Sequence, residues 1–180
     1  KLWYSINLPA GTGEALTPST KFKFLYGDIL EDVVISLAKA AGHEVTGEQT
    51  RMEIDGIIGH RDCVIDGMTV DVKTASPYAF DKFSRHELRG EGKYAFGYIE
   101  QLSSYVNEAK DQPEVTDKKR GAFLAIDKVS GKRCLDVYDF PDDMKHKMDN
   151  VNRVQADVNG DEPTSRTLEA VIDGAEGKMK

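Results

Sequence analysis

Asp62, Asp71 and Lys73 are the residues whose types and spacing can do chemistry together. Side chains alternate along a strand, so in the run Asp71-Val72-Lys73 the acid and the lysine share one face while Val72 turns to the other. Asp66-Gly67 is a strong hairpin signal, and a turn there brings Asp62 back alongside Asp71. Two carboxylates sharing one point are costly unless a proton or a cation neutralises them. Magnesium supplies that compensation by taking oxygen ligands from carboxylates, carbonyls and waters. A lysine two positions beyond the second acid then stands beside the metal. There it can hold or help deprotonate the attacking water, or stabilise negative charge in the transition state. The plainer reading of an isolated Asp-x-Lys is an ordinary ion pair on an exposed strand.

Other residues gain interest from their distance to this hairpin. Gln101 and Tyr105 are four apart in a helical stretch and face the same way, to contact a ligand, brace a site or simply line a helix surface. His60 precedes Asp62 by two residues and shares its face; it can approach a phosphate or support a ligand, although a lone histidine is more often structural. Lys82, Arg85, His86, Arg89 and Lys93 make the densest basic stretch, interleaved with Tyr78, Phe80, Phe83 and Tyr94. Such a segment can bind backbone phosphates and stack on unpaired bases. It can equally be a solvated loop, since Asp81, Glu87 and Glu91 partly cancel its charge.

The elements that must hold these residues follow from periodicity. Residues 1–20, with Pro9, Gly11, Gly13 and Pro18, predict an arm of little regular structure. Leu30, Val33, Val34, Leu37 and Ala41 recur at spacings of three and four and predict a helix over 24–41, ended by Gly42. Asp28 is then charge near the helix N-terminus. Strands are expected over 43–54, 57–65 and 68–74, followed by an irregular segment or short helix over 75–93. A helix over 94–110, strands over 121–128 and 134–140 and a helix over 142–158 come next. A polar tail over 161–180, with a short helix near 168–172, completes the pattern. This order predicts one α/β domain over 21–160, a central mixed sheet flanked by helices.

Composition is compatible with that domain. Of 180 residues, 39% are hydrophobic and 31% charged, as in globular chains, and no apolar run is long enough to cross a bilayer. The N-terminal residues have no signal-peptide pattern. The expected location is therefore cytoplasmic, without membrane association, and the absence of an initial Met predicts numbering that begins inside a longer gene product. Cys63 and Cys134 are far apart; we expect reduced, buried thiols, and two cysteines cannot supply a four-cysteine iron–sulfur cluster. The net charge of −7 counts against long-range attraction of nucleic acid. A metal nuclease, however, must concentrate carboxylates, and a local basic patch can still dominate phosphate contact.

Taken in order, these pieces resemble the PD-(D/E)xK nuclease superfamily, with Asp62 as its first acid and Asp71 and Lys73 as its second acid and lysine. Gly27-Asp28-Ile29-Leu30-Glu31 resembles the first-helix motif of the RecB-like exonuclease branch, and Gln101-Leu102-Ser103-Ser104-Tyr105 matches its Gln-xxx-Tyr motif. The stretch that follows Lys73 is similar to that of phage-type recombination exonucleases resembling RecE. Neither cluster cysteines nor a histidine just before the helical acid is present.

The resemblance implies a restriction-endonuclease-like core and a DNA exonuclease dependent on magnesium or manganese. One or two ions would be held by Glu31, Asp62, Asp71 and the Val72 carbonyl. Hydrolysis would leave a 5′-phosphate, in DNA end processing for recombination, repair or phage replication within a bacterial or phage-infected cell. Lys82, Arg85, Arg89, Lys93, His60, Gln101 and Tyr105 would contact DNA or support the site. A homo-oligomer is a further expectation, since related exonucleases gain processivity by forming rings. The rival readings are a structure- or sequence-specific endonuclease of the same fold, a catalytically silent DNA-binding module, and a magnesium-dependent phosphatase.

Overall fold

Helix formation begins earlier than periodicity predicts. The Thr17 hydroxyl accepts the Thr20 amide at 3.2 Å and Pro18 sits in the first turn, where its missing N–H is no loss. Helix α1 therefore spans Pro18–Ala40, and 18–20 belong to it rather than to an arm. Asp28 is accordingly mid-helix, away from the N-terminal dipole. Its C-terminus is closed as expected by Gly42, at φ 94°, whose amide reaches the Lys39 carbonyl while the His43 amide reaches that of Ala38. The computed structural model describes residues 16–54, 57–88, 97–140 and 160, with the backbone of 172–173 and 178–179.

The first two expected strands are each divided. β1 (Val45–Thr46) and β2 (Thr50–Ile54) replace the first, and β3 (Ile57–Arg61) and β4 (Cys63–Ile65) replace the second, with the break at Asp62. β2 and β3 form their own antiparallel ribbon. β5 (Met68–Ala75) pairs with β4 across the Asp66-Gly67 turn, as the sequence predicts. Both turn residues have positive φ, 49° and 80°, which gives a two-residue connection the twist its strands need.

After β5, Ser76 caps α2 (Pro77–Ser84) through its hydroxyl, and α3 (Tyr98–Ala109) follows. The two carry the chain back so that β6 (Asp117–Asp127) lies parallel to β5, a pairing no tight turn could make. β7 (Arg133–Asp139) returns antiparallel. The result is a five-stranded mixed sheet, β1-β4-β5-β6-β7, flanked by helices, within an α/β unit over Leu16–Lys147. A second unit comprises Lys1–Ala15 and Met148–Lys180, in which β8 (Ile172–Asp173) pairs with β9 (Lys178–Met179). Ile172 is thus in a strand, not the expected helix, while the arm over 1–15, the helix over 142–158 and residues 168–171 lie outside the described residues.

The sheet has a buried layer on each face. Val34 and Ile35 of α1 pack on Cys63, Val70, Val72, Ala122 and Ile126. On the opposite face Phe80 and Phe83 of α2 and Leu102 and Val106 of α3 cover Ala75, Phe123, Ala125 and Tyr138. Each such large apolar side chain contributes roughly 1.5–3 kcal/mol when fully buried. The expected apolar face of α1 needs correction. Val33 and Leu37 are more than 40% exposed, and the buried face turns instead through Leu30, Val34 and Ile35. No helix among the described residues is long and apolar enough to cross a membrane.

Candidate active site

β4 ends at Cys63 whereas β5 continues to Ala75, so beyond Val70 the outer edge of β5 has lost its ladder partner. Asp62 fills that gap. Its Oδ2 accepts the Val72 amide at 2.7 Å, which fastens the first acid to the strand that carries the second. A residue's amide and carbonyl lie on the same edge of a strand, so the Val72 carbonyl also faces this gap rather than β6. Asp71 and Lys73 share the α2/α3 face, as alternation predicts, and Val72 packs towards α1. Lys73 Nζ lies 2.5 Å from Asp71 Oδ2 and 5.3 Å from the centre of the Tyr98 ring.

Asp71 is only 2% exposed. Its Oδ2 forms a close ion pair with the Lys73 ammonium. Burial, with repulsion from Asp62, pushes Asp71 up to about 6 against the pull of Lys73. Burial also raises Asp62, which the Val72 amide, Lys73 and Gln49 hold back. For Lys73 burial works downwards, but the attraction of Asp71 and Asp62 outweighs it and the net shift is upwards. The two shifts pull against each other: an ion pair should lower the acid, but Asp71 is the more deeply buried and carries the desolvation penalty, while the ammonium retains a solvent-facing edge. Lys73 therefore remains a cation at neutral pH and is suited to stabilising charge rather than to removing a proton.

Glu31 reaches the same neighbourhood from α1. Its Oε1 accepts Gln49 Nε2 at 2.5 Å. Burial and the charges of Asp62, Asp28, Asp32 and Asp71 push it up to about 7. Gln49 is the residue sequence reasoning missed. It sits at φ 49° between β1 and β2, its backbone amide on the Asp62 carbonyl and its side chain on Glu31, and only that unusual backbone could have signalled it.

Gln101 and Tyr105 do meet, Nε2 donating to the Tyr105 hydroxyl at 3.2 Å. Tyr105 is buried against Met52, Val64 and Ala109, while Gln101 is exposed. His60 is not brought to the site by a shared strand face, because the strand breaks at Asp62; it stands exposed on β3 opposite Arg51. Lys82 lies 5.1 Å from the Tyr78 ring centre and Arg85 caps α2. Arg89 and Lys93 lie outside the described residues. Cys63 is buried as expected, Cys134 only half so.

No family model matches the chain, and no curated protein matches it in sequence. Function must therefore be weighed on the geometry. Three carboxyl groups whose charges repel, one of them buried, meet a single lysine at an open strand edge. All the donors are hard oxygens of the kind magnesium and manganese prefer. Among the described residues no three acids, histidines or cysteines are drawn into one closed ligand set.

Proposed function

We propose that the chain is a metal-dependent deoxyribonuclease with a restriction-endonuclease-like core, of the PD-(D/E)xK type its sequence resembles, and an exonuclease of the RecB-like branch. The observation that carries this reading is the bond from the Val72 amide to Asp62. It gathers the acid at the β3–β4 break and the acid of β5 beside a lysine that stays charged.

Asp62 and Asp71, with Glu31 and the Val72 carbonyl, would hold the magnesium or manganese ions. Such an ion supplies Lewis-acid stabilisation of the phosphoryl oxygens and a nucleophile at neutral pH. The chain's own residues do the rest. Lys73 directs a positive charge at the phosphate, where charge grows in the transition state, from a site with little water to screen it. Tyr98 backs the ammonium and fixes its direction. Asp62, tied to the backbone, keeps its carboxylate in place without rotamer search. Gln101, which bonds Tyr105, and the cations of α2 would hold the DNA strand.

Asp71→Ala or Lys73→Ala should lower cleavage of end-labelled linear DNA by at least about 100-fold. Circular dichroism and most DNA affinity should stay unchanged. Full activity in either purified variant sinks the proposal, and so does cleavage that persists in EDTA. Closed circular DNA should survive, because an exonuclease needs an end; its digestion would favour the endonuclease of the same fold.

A further inference from the structure

A second ordered polar array lies on the same face of the sheet, outside the carboxylate site. Asp136 on β7 is buried, 3% exposed, and accepts two hydrogen bonds: the Tyr138 hydroxyl donates to Oδ2 at 2.7 Å and His86 Nδ1 lies 2.6 Å from Oδ1. The His86 ring stacks on Tyr138 with centroids 4.3 Å apart and planes 19° from parallel. His86 itself is exposed, and its φ of 58° is that of the residue closing α2: its amide reaches the Phe83 carbonyl and the Glu87 amide reaches that of Lys82. A carboxylate only accepts, so the proton between His86 and Asp136 belongs to Nδ1, and Nε2 is left facing solvent. Among the described residues Nε2 has no hydrogen-bond partner.

The plain account of a histidine here is a cation answering the C-terminal dipole of α2. It fails on geometry, because the ring turns away from the helix carbonyls onto β7. A buried carboxylate, a hydroxyl and a ring face are more restraint than a surface histidine needs. They aim one imidazole edge outward and hold a counter-charge behind it.

The strand register places this array. Asp71 is opposite Phe123 on β6, and Phe123 is opposite Asp136 on β7. Residues so paired face the same way two strands apart, about 10 Å. α2 starts just beyond β5 and ends at Ser84, two residues before His86, with Lys82 in its last turn and Arg85 at its C-cap. A nucleic-acid strand carries a phosphate about every 3.4 Å of helix axis, so the span corresponds to roughly three nucleotides.

We propose that His86, oriented by Asp136 and Tyr138, is a phosphate-binding residue for the DNA backbone a few nucleotides from the cleaved bond. It engages one phosphate oxygen through its outward Nε2 edge, with Asp136 holding the ring from its far side. Asp136 and Tyr138 are positioning residues that never touch the DNA. Exposed Asp81 and Glu87 flank the segment and offset part of the charge of Lys82 and Arg85, so the aimed His86 edge adds a contact that bulk charge would not supply. The inference rests on the nuclease reading above.

The test measures KM, kcat and the salt dependence of DNA affinity for His86→Ala, His86→Gln, His86→Lys and Asp136→Asn in the full chain. Loss of one phosphate contact should raise KM by about 5–10-fold with kcat unchanged in His86→Ala and His86→Gln. The slope of log K against log salt should fall by about 0.7–0.9. His86→Lys should restore that slope, and Asp136→Asn should share the KM defect. A purely structural role would lower the melting temperature but leave the slope intact, which overturns the proposal. Should His86→Ala not fold, comparing His86→Gln with His86→Lys decides, and equal slopes overturn it. If the wild type itself neither binds nor cuts DNA, the nuclease reading fails. A wild type that cuts, with His86 variants that match it, removes only the phosphate site.

Discussion

Asp71 shows how a single side chain can be stable only in company. Folded, it holds its proton to about pH 6 and Glu31 to about pH 7, against ordinary values of 3.8 and 4.5. Both therefore favour folding when protonated, and that gain is complete near pH 4 and lost as pH rises through 6 and 7. Carboxyls with lowered values, such as Asp66, Glu114, Asp117 and Asp127, act in the opposite sense, but only near and below pH 4. In EDTA, urea denaturation should thus show stability falling by on the order of 1 kcal/mol from Asp71 alone between pH 5 and 8. Asp71→Asn should flatten the trend, and magnesium should reverse it in the wild type. An unchanged slope in Asp71→Asn would show that the site does not carry this strain.

At the scale of elements, the site depends on how closely α3 approaches the β2–β3 ribbon. A Cβ at Gly59 would stand 2.8 Å from the Tyr105 hydroxyl and 3.2 Å from its Cε1. Tyr105 is 6% exposed and has nowhere to swing. Gly59→Ala should cost about 1–3 kcal/mol and displace the Gln101 partner, so that cleavage falls with stability. Tyr105→Phe removes the offending oxygen, and in the double variant the two losses should be less than additive by more than 0.5 kcal/mol, on the usual scale for touching residues. Additive losses in a thermal melt would mean that this contact is not what sets the spacing. Nearby, fully buried Arg61 ties the same ribbon to the loop after α3, bonding Gln112 at 2.7 Å and Glu114 at 3.0 Å.

At the scale of the whole molecule, the proposed DNA substrate has to be reconciled with a net charge of −7. Glu31, Asp62 and Asp71 meet at the β5 edge, where the proposed function puts the scissile phosphate, so on that proposal the edge should repel DNA until cations bind. Divalent cations should therefore raise wild-type affinity for DNA, measured with Asp71→Asn alongside. In EDTA the variant should bind more tightly than the wild type, because one repelling charge is gone. Equal binding in EDTA would place the DNA elsewhere. The α1 side offers a separate feature. A cavity of about 580 Å³ opens between that helix and the sheet, lined by Leu37, Ile65, Val70, Leu124 and Leu135, which explains why Leu37 is not sealed.

What the sequence determined by itself is local. The period-two alternation of Asp71, Val72 and Lys73, the Asp66-Gly67 turn, the Gly42 cap and the four-residue spacing of Gln101 and Tyr105 depend on neighbours along the chain, and each is present. Capping chemistry at Thr17 and Pro18 was legible too, but periodicity alone overlooked it. Tertiary structure decided the rest. The break at Asp62 that turns its carboxylate onto the Val72 amide, the parallel pairing of β5 with β6, Gln49 on Glu31 and the His86–Asp136 pair all join residues remote in sequence. No local propensity encodes these, because their free energy comes from burial and pairing that exist only once the strands have met.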